Sequence, residues 1–339
     1  ARMEAGSSGW PCMAQRILEP GEIETLASRD VPRIILPDAA SLFADRAARL
    51  RSLATHSAIG GYLQLLAALA DAQQALLDEL APQQREVLQV QARAQQSSAA
   101  AGAGMPLRPA NTLQLDDRWH GWLRTLCQHC ADEAGLPAET RQELQRVAAA
   151  DDAWLDAQAH AVLERDDAPS LDAVAALLVM TALQVYWAVL AESFRPADLK
   201  PLADAPGLCP LCGTLPVVSV VQARPPYASY RYLSCALCAC QWHYVRVQCS
   251  QCGTAGKDIA YRALADVGGD AGHAVRESAV RAETCDHCRS YRKILYLEKD
   301  PSLEPVADDL GTLALDLLLA EEGYARASQN PLLWQSDGD

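Results

Sequence analysis

The sequence reads C-P-L-C-G at 209–213, C-A-L-C-A at 235–239, C-S-Q-C-G at 249–253 and C-D-H-C-R at 285–289, so four Cys-x-x-Cys pairs fall within 80 residues. Two cysteines on such a tight turn direct both sulfurs at one point, and two turns supply the tetrahedral thiolates that Zn²⁺ or iron takes. A disulfide inside each pair would close a small, strained ring. Four unligated pairs would leave the repeated spacing unexplained. The cysteines therefore predict two Cys₄ metal sites.

The residue after each pair indicates how the eight cysteines share two metals. Gly213 and Gly253 follow the first and third pairs, where a positive φ lets backbone amides point at sulfur, and the other two pairs lack this glycine. The ordered repeat predicts two tandem modules, each folded around its own ion, with an interleaved pairing as the alternative. The predicted ligands are Cys209, Cys212, Cys235 and Cys238 for the first site and Cys249, Cys252, Cys285 and Cys288 for the second. Spacing does not separate zinc from iron, because four thiolates suit both.

Composition and charge narrow the class of protein. The chain has 339 residues, half of them hydrophobic and only 6% aromatic, and a net charge of −14. Residues 209–300 hold 11 Lys+Arg and 8 Asp+Glu, which gives +3, and two loaded Cys₄ sites at about −2 each bring this part near −1. These charges argue against a nucleic-acid partner. The first residues, A-R-M-E-A-G-S-S-G-W-P-C, contain no apolar run, so we expect no export signal and a cytoplasmic location.

The hydrophobic pattern predicts an α+β fold, with an N-terminal all-α helical domain, a small β domain of two tandem Cys₄ modules and a closing C-terminal helix near 306–325. Residues 95–109, of low complexity, predict a mobile loop inside the helical domain. The predicted layout is an extended lead 1–40, a helical domain 41–193, a linker 194–208, modules 209–248 and 249–300, and a C-terminal helix and tail 301–339.

Residues 173–191 form an uncharged run that is either a membrane-spanning helix or a helix of the protein core. Nineteen residues touch the lower limit of a membrane span. Six alanines, Thr181 and Gln184 within the run, and acidic flanks without a basic cluster, favour a central helix that is apolar all round because other helices surround it. We predict a core helix and no membrane span.

Four cysteines lie outside the repeated pairs. Cys127 and Cys130 fall on a predicted helix, about 116–133, and are interpreted as small core residues. The alternative is a metal site that His120, His129 or an opposing helix completes, since residues i and i+3 share one helix face. Cys240, two residues after Cys238, is either without a role, a spare ligand or a redox partner. Cys12 has no assigned role.

Three runs carry a family resemblance: C-P-L-C-G-T-L-P-V-V-S-V-V from Cys209, R-Y-L-S-C-A-L-C with W-H-Y-V-R-V between Arg231 and Val247, and E-T-C-D-H-C from Glu283. These runs are similar to the formate dehydrogenase accessory proteins of FdhE type, over about residues 15–332. Three further runs carry the same resemblance: K-I-L-Y and E-K-D-P downstream, and E-P-V-A-D-D-L-G-T-L-A-L-D-L-L-L-A-E-E-G-Y-A-R-A-S-Q-N-P near the end. Cys12, Cys127, Cys130 and Cys240 fall outside the family's cysteine pattern.

The resemblance implies a cytoplasmic accessory factor, or chaperone, that matures respiratory formate dehydrogenase and contacts its catalytic subunit before export. It also implies rubredoxin-like modules with two bound metal ions, with iron favoured and zinc as the alternative. We found no catalytic triad, phosphate loop or carboxylate pair in the sequence, so we expect no enzyme. The alternatives are a rubredoxin-like electron-transfer protein and a nucleic-acid-binding zinc ribbon.

An interface near the first site is a further hypothesis. Tyr227, Tyr230 and Arg231 in P-P-Y-A-S-Y-R-Y, with Trp242 on the next predicted strand, are residue types that anchor protein interfaces when they are exposed. The alternative is that these aromatic residues pack the small β core.

Overall fold

Helices fill the first half of the chain. The computed structural model describes residues 31–80, 82–94, 104–112, 115–133, 135–164, 171–264 and 275–333. The helices are α1 Leu42–Ala54, α2 Gly60–Glu79, α3 Pro82–Ala94, α4 Arg118–Ala131, α5 Ala138–Ala148, α6 Asp152–Glu164 and α7 Ala173–Ala191. This confirms the predicted N-terminal helical part.

Helix α7 is the centre of the helical half. Asp172 caps it by accepting a 2.8 Å hydrogen bond from the Ala175 amide, and every residue from Ala175 to Ala191 is buried. Its length and composition would suffice to cross a membrane, yet 89% of its most apolar window lies inside the protein. It packs against α2, α3, α4, α5 and α6. The structure therefore places it as a core helix, as predicted.

One polar side chain on α7 ties the helices to the cysteine-rich half. Gln184 Oε1 accepts hydrogen bonds from Gln73 Nε2 at 3.0 Å and from Arg46 Nη1 at 3.4 Å. Gln184 Nε2 donates to the carbonyl of Ala236, inside the second Cys-x-x-Cys turn, at 2.7 Å. Arg46 in turn pairs with Glu304 at 3.0 Å. The helical core and the first cysteine module are thus packed and hydrogen-bonded as one core.

The strands form one continuous sheet. They are β1 Ile34–Ile35, β2 Pro216–Val221, β3 Arg231–Cys235, β4 Gln241–His243, β5 Ile259–Arg262, β6 Val280–Cys285, β7 Ser290–Tyr296 and β8 Ala325–Arg326. Their order is β1-β4-β3-β2-β7-β6-β5, with β8 beside β7. The β2–β7 pairing is parallel and joins strands of the two cysteine modules, with Ser219 opposite Ile294. The two predicted tandem modules thus form one small β domain with a shared sheet.

Strand β1 forms one edge of the sheet, and the segment 194–208 packs against it. Of the predicted lead, residues 1–30 lie outside the described residues, and Ile34 pairs with Trp242 on the antiparallel strand β4. In the predicted linker, Leu199 and Leu202 are buried, and Pro206 O accepts a 2.9 Å hydrogen bond from Trp242 Nε1.

The closing segment is two helices, α8 Pro305–Gly311 and α9 Leu313–Glu321, where one was predicted. Lys293, from β7, donates to the carbonyls of Asp309 at 2.6 Å and Thr312 at 3.1 Å. These bonds lie at the junction of the two helices, where Thr312 leaves the helical conformation with φ −121° and ψ 34°. Glu304 caps α8 by accepting from the amides of Val306 and Ala307.

Candidate metal centres

The first cysteine group is built from one turn and one strand end. In the turn, Gly213 has φ +77° and its amide donates to Cys209 O at 2.8 Å, while the Cys209 amide donates to Thr214 O at 3.0 Å. Strand β3 ends at Cys235, and Cys238 follows in the next turn. The sulfur atoms of Cys209 and Cys238 are 3.5 Å apart, and those of Cys212 and Cys235 are 3.4 Å apart.

The second group repeats this arrangement. Gly253 has φ +78° and its amide donates to Cys249 O at 2.9 Å, and the Cys249 amide donates to Thr254 O at 2.8 Å. The Cys249 and Cys288 sulfurs are 3.7 Å apart, as are those of Cys252 and Cys285. The glycine that follows the first pair of each module therefore has the backbone conformation that the sequence predicted.

The sulfur geometry of both groups fits a tetrahedral metal. A metal–sulfur distance of about 2.3 Å puts the sulfurs of such a site about 3.8 Å apart, whereas a disulfide needs about 2.05 Å. In each group the four sulfurs all lie within 4.8 Å of one another. The structure brings the cysteines together in the tandem order and not in the interleaved one. Two metal ions fit, and the four sulfurs suit zinc and iron alike.

The first group is sealed inside the main core. Cys209, Cys212, Cys235 and Cys238 are each at most 1% exposed and belong to the apolar cluster that contains the helices. Burial raises the pKa of the Cys209, Cys212 and Cys238 thiols well above the ordinary value. A cation is therefore needed to keep these sulfurs as thiolates at neutral pH.

The second group lies partly at the surface. Cys252 is exposed and Cys288 half-buried, and the small apolar cluster around them holds only Cys249, Ile259 and Cys285 as buried members. The slight burial of Cys252 acts to raise its pKa, but hydrogen bonds with Thr254 outweigh it and lower the pKa to about 6. The two groups thus share a geometry and differ in access.

A segment that sequence reasoning missed holds the first turn in place. The amides of Leu107, Arg108 and Ala110 donate to the carbonyls of Pro210, Leu211 and Cys212 at 2.9, 2.8 and 2.9 Å. The mobile loop predicted for 95–109 is therefore wrong for its last residues, and residues 95–103 lie outside the described residues. The sequence does not indicate this pairing, because backbone hydrogen bonds require no particular side chain and the residues just before the segment are of low complexity.

The predicted interface residues separate into two pairs. Tyr227 and Tyr230 are half-buried. Arg231 and Trp242 are 0% exposed, so the expectation that they lie on a surface is wrong. Arg231 forms an ion pair with Glu283 at 2.9 Å, which connects β3 to β6. The sheet is covered on both faces here, and alternate strand positions are therefore buried alike.

The remaining cysteines show no third metal group among the described residues. Cys127 and Cys130 are buried on α4, where burial raises their pKa values to about 12 and about 11, which fits their predicted role as core residues. Cys240 is also buried, and its Sγ lies 3.9 Å from the carbonyl oxygen of Gln241. Cys12 lies outside the described residues.

Comparison with known proteins gives matches over nearly the whole chain. Three family models match: FdhE N-terminal over residues 31–204, FdhE central domain over 208–246 and FdhE C-terminal domain over 247–333. A Protein FdhE homolog of Pseudomonas putida is 38% identical over 325 residues, which are 95% of this chain and 96% of that protein. Protein FdhE of Escherichia coli K12 is 34% identical over 96% of this chain and 100% of its own length. The crystal structure of the FdhE protein from Pseudomonas aeruginosa superposes with a TM-score of 0.73 at 36% identity, covering 89% of this chain and 99% of that one.

Proposed function

The chain belongs to the FdhE family, and we propose that it acts in the cytoplasm as an accessory factor that binds the catalytic subunit of formate dehydrogenase during its maturation. The observation that carries the proposal is the pair of preformed Cys₄ groups on one continuous sheet. Such groups, once loaded, cross-link segments distant in sequence and stiffen the surface around them. A stiff surface suits a protein that holds a client without transforming it.

In this proposal eight cysteines hold two metal ions. Iron is the metal we propose, with zinc as the alternative. The first ion fixes the sheet to the helices, since its ligands lie in the main core. The second lies beside the surface, where Cys252 is exposed. When bound, the metal supplies a fixed positive centre for four thiolates and, if it is iron, a one-electron couple.

The client surface we propose lies near these metal groups. Tyr227 and Tyr230 remain from the predicted interface, as half-buried aromatic residues. The turn at 245–247 adds two exposed apolar side chains, with Val245 59% and Val247 43% exposed. It is tied to the second group, since the Gly256 amide donates to Val247 O at 3.2 Å. Exposed apolar residues beside a charged one, Arg246, are typical of a contact surface.

Co-purification with the catalytic subunit tests the proposal. We expect Tyr227→Ala/Tyr230→Ala or Val245→Ser/Val247→Ser to reduce capture of the subunit at least about tenfold, as loss of interface anchors does, with metal content unchanged. Leu317→Ser is the matched control, because Leu317 is 69% exposed on α9, away from the cysteines in sequence. A wild-type protein that captures no catalytic subunit contradicts the proposed function. Wild-type capture that neither pair of substitutions reduces contradicts the proposed surface.

An electron-transfer role is the second candidate, favoured by the exposure of Cys252. A sulfur ligand at the surface gives electrons a short path to a partner. Metal analysis followed by reductive titration tests this role, and zinc in both sites would exclude it.

A further inference from the structure

Arg292 is a buried cation whose hydrogen-bond partners are all neutral. It lies on β7, four residues after Cys288, and is 4% exposed. Its Nε donates to Ser250 Oγ at 2.8 Å, and Nη1 donates to Ser328 Oγ at 2.7 Å and to the carbonyl of Pro216. Its Nη2 has no hydrogen-bond partner.

Among the described residues, no carboxylate lies within 4.0 Å of this guanidinium. Glu283 is the acidic side chain nearby, and it already pairs with Arg231 at 2.9 Å and accepts from Tyr261 Oη at 3.1 Å. The acidic cluster of Asp309 and Asp316 binds Lys293, which points to the opposite face of β7. A buried charge without a counter-charge is costly. Glu283 lies opposite Arg292 across β6 and β7 but forms its ion pair with Arg231, so Arg292 has no ion pair of its own among the described residues.

The second cysteine group lies next to it. A cavity of about 10 Å³ has Arg292, Glu283 and the ligand cysteines Cys249 and Cys285 among its lining residues. This is about the space of a single water molecule, which can bridge a guanidinium N–H to a thiolate. Four thiolates around a divalent ion carry about −2, and around a ferric ion about −1.

The tandem repeat supplies an internal comparison. The fourth residue after the last cysteine is Arg292 in the second module and Trp242 in the first. Both are buried, and Trp242 brings no charge to the first group. The two modules have similar sulfur geometry, but this position carries a positive charge in the second module and no charge in the first.

We propose that Arg292 is a positioning residue of the second Cys₄ centre, whose guanidinium supplies the counter-charge of the metal–thiolate group across the one-water cavity. This inference rests on the metal loading in the proposed function. It has two consequences. Arg292 increases the affinity of the second site for its metal, and, with iron bound, it raises the reduction potential of that site, because a positive charge favours the more negative reduced form.

Chelator competition on the full chain tests the affinity. The variants are Arg292→Leu, which removes the charge; Arg292→Gln, which removes it but keeps hydrogen-bonding capacity; and Arg292→Lys, which keeps the charge. Cys252→Ser assigns the second site. We expect Arg292→Leu and Arg292→Gln to bind Zn²⁺ at that site at least about tenfold more weakly, the usual effect of losing a supporting group, and Arg292→Lys to recover most of the affinity. Lys293→Met is the matched control, since it removes a buried cation of the same strand from the other face.

The iron-loaded protein supplies a second measurement with an internal reference. In Arg292→Gln we expect the midpoint potential of the second site to fall by about 59 mV, the one-electron equivalent of tenfold, while that of the first site is unchanged. If both the affinity and the potential of the second site match wild type in Arg292→Gln, the inference is wrong. The same holds if Lys293→Met shifts them equally. A wild-type protein with no metal at Cys252 contradicts the metal loading itself, which is a separate outcome.

Discussion

Removing one ligand from each Cys₄ group should have unequal effects, although the two groups have the same geometry. Cys212 is 1% exposed in the main core, and the turn that contains it is hydrogen-bonded to residues 107–110. Cys252 is exposed, and its group packs in a small separate cluster. Cys212→Ser therefore disrupts the centre of the fold, and Cys252→Ser disrupts its edge.

The magnitude follows from these contacts. A metal whose binding is coupled to folding of the core contributes up to about 10–16 kcal/mol, as much as the whole stability of about 5–15 kcal/mol of a typical protein. Losing the first site also endangers three backbone hydrogen bonds and the Gln184–Ala236 bond, each worth about 1 kcal/mol. We expect Cys212→Ser to cost about 5 kcal/mol or more, which is about 10 °C in Tm at about 2 °C per kcal/mol. Cys252→Ser should cost about 1–2 kcal/mol in global stability, because β6 and β7 stay paired with the rest of the sheet.

The continuous sheet also predicts how each substitution affects the other site. Arg231 on β3 pairs with Glu283 on β6 and donates to Val245 O and Gln248 O, directly before Cys249. Loss of the first site displaces these contacts and weakens the second. From the sequence we expected each module to fold around its own ion. The structure instead leads us to expect a metal-to-protein ratio of about one for Cys252→Ser and close to zero for Cys212→Ser.

Metal analysis after gel filtration and thermal unfolding followed by circular dichroism measure both effects. Cys130→Ser is the control, since Cys130 is a 0% exposed thiol outside both groups and reports the cost of burying a hydroxyl alone. Equal Tm shifts for Cys212→Ser and Cys252→Ser, or a Cys252→Ser protein that loses both metals, would refute the reasoning.

Two further substitutions test contacts elsewhere in the fold. Val247 has φ +57°, a left-handed conformation that a β-branched residue adopts at a cost, so Val247→Asn should raise the free energy of unfolding by about 1 kcal/mol in a denaturant titration; a loss of stability would argue against strain there. Gln184→Leu leaves the Ala236 carbonyl, the Gln73 amide and Arg46 Nη1 without this partner, and should destabilise the chain by about 2–4 kcal/mol. The control is Thr181→Val, which removes only a hydroxyl that hydrogen-bonds within α7. If Thr181→Val loses as much stability as Gln184→Leu, the contacts of Gln184 outside α7 do not stabilise the fold as argued.

The metal groups and the core helix could be predicted from the sequence because their signals are local. The tight Cys-x-x-Cys spacing, the glycines at 213 and 253, and the uncharged run 173–191 each specify a structure within a few turns of chain. Arg231 and Trp242 were expected at an interface because of their residue types. Both are buried instead, because both faces of the sheet are covered and Arg231 pairs with Glu283.

Features that depend on distant partners were missed. The parallel pairing of β2 with β7 joins segments about 75 residues apart (219 with 294), and no local pattern specifies it. At the break at Thr312, Lys293 on the distant strand β7 donates hydrogen bonds to two carbonyls of the closing helices. The role proposed for Arg292 depends on its neutral hydrogen-bond partners and on the adjacent cysteines, which only the fold brings together.

The pairing of Ile34 with Trp242 has a consequence for biosynthesis. Ile34 leaves the ribosome 208 residues before its strand partner (242 minus 34), and at about 5–20 residues per second this is a delay of about 10–40 s. The ion pair of Arg46 with Glu304 forms later still, because Glu304 lies 258 residues after Arg46 in the chain. During this interval α7 packs against the earlier helices α2–α6 but still lacks the sheet, since the Ala236 carbonyl to which Gln184 donates has not yet been added. The first Cys₄ group is completed by Cys238, four residues before Trp242 is added. Under the proposed metal loading, metal binding to this group and closure of the sheet fall at nearly the same point of synthesis, and a chain that lacks metal at that point should be lost more readily to aggregation or proteolysis.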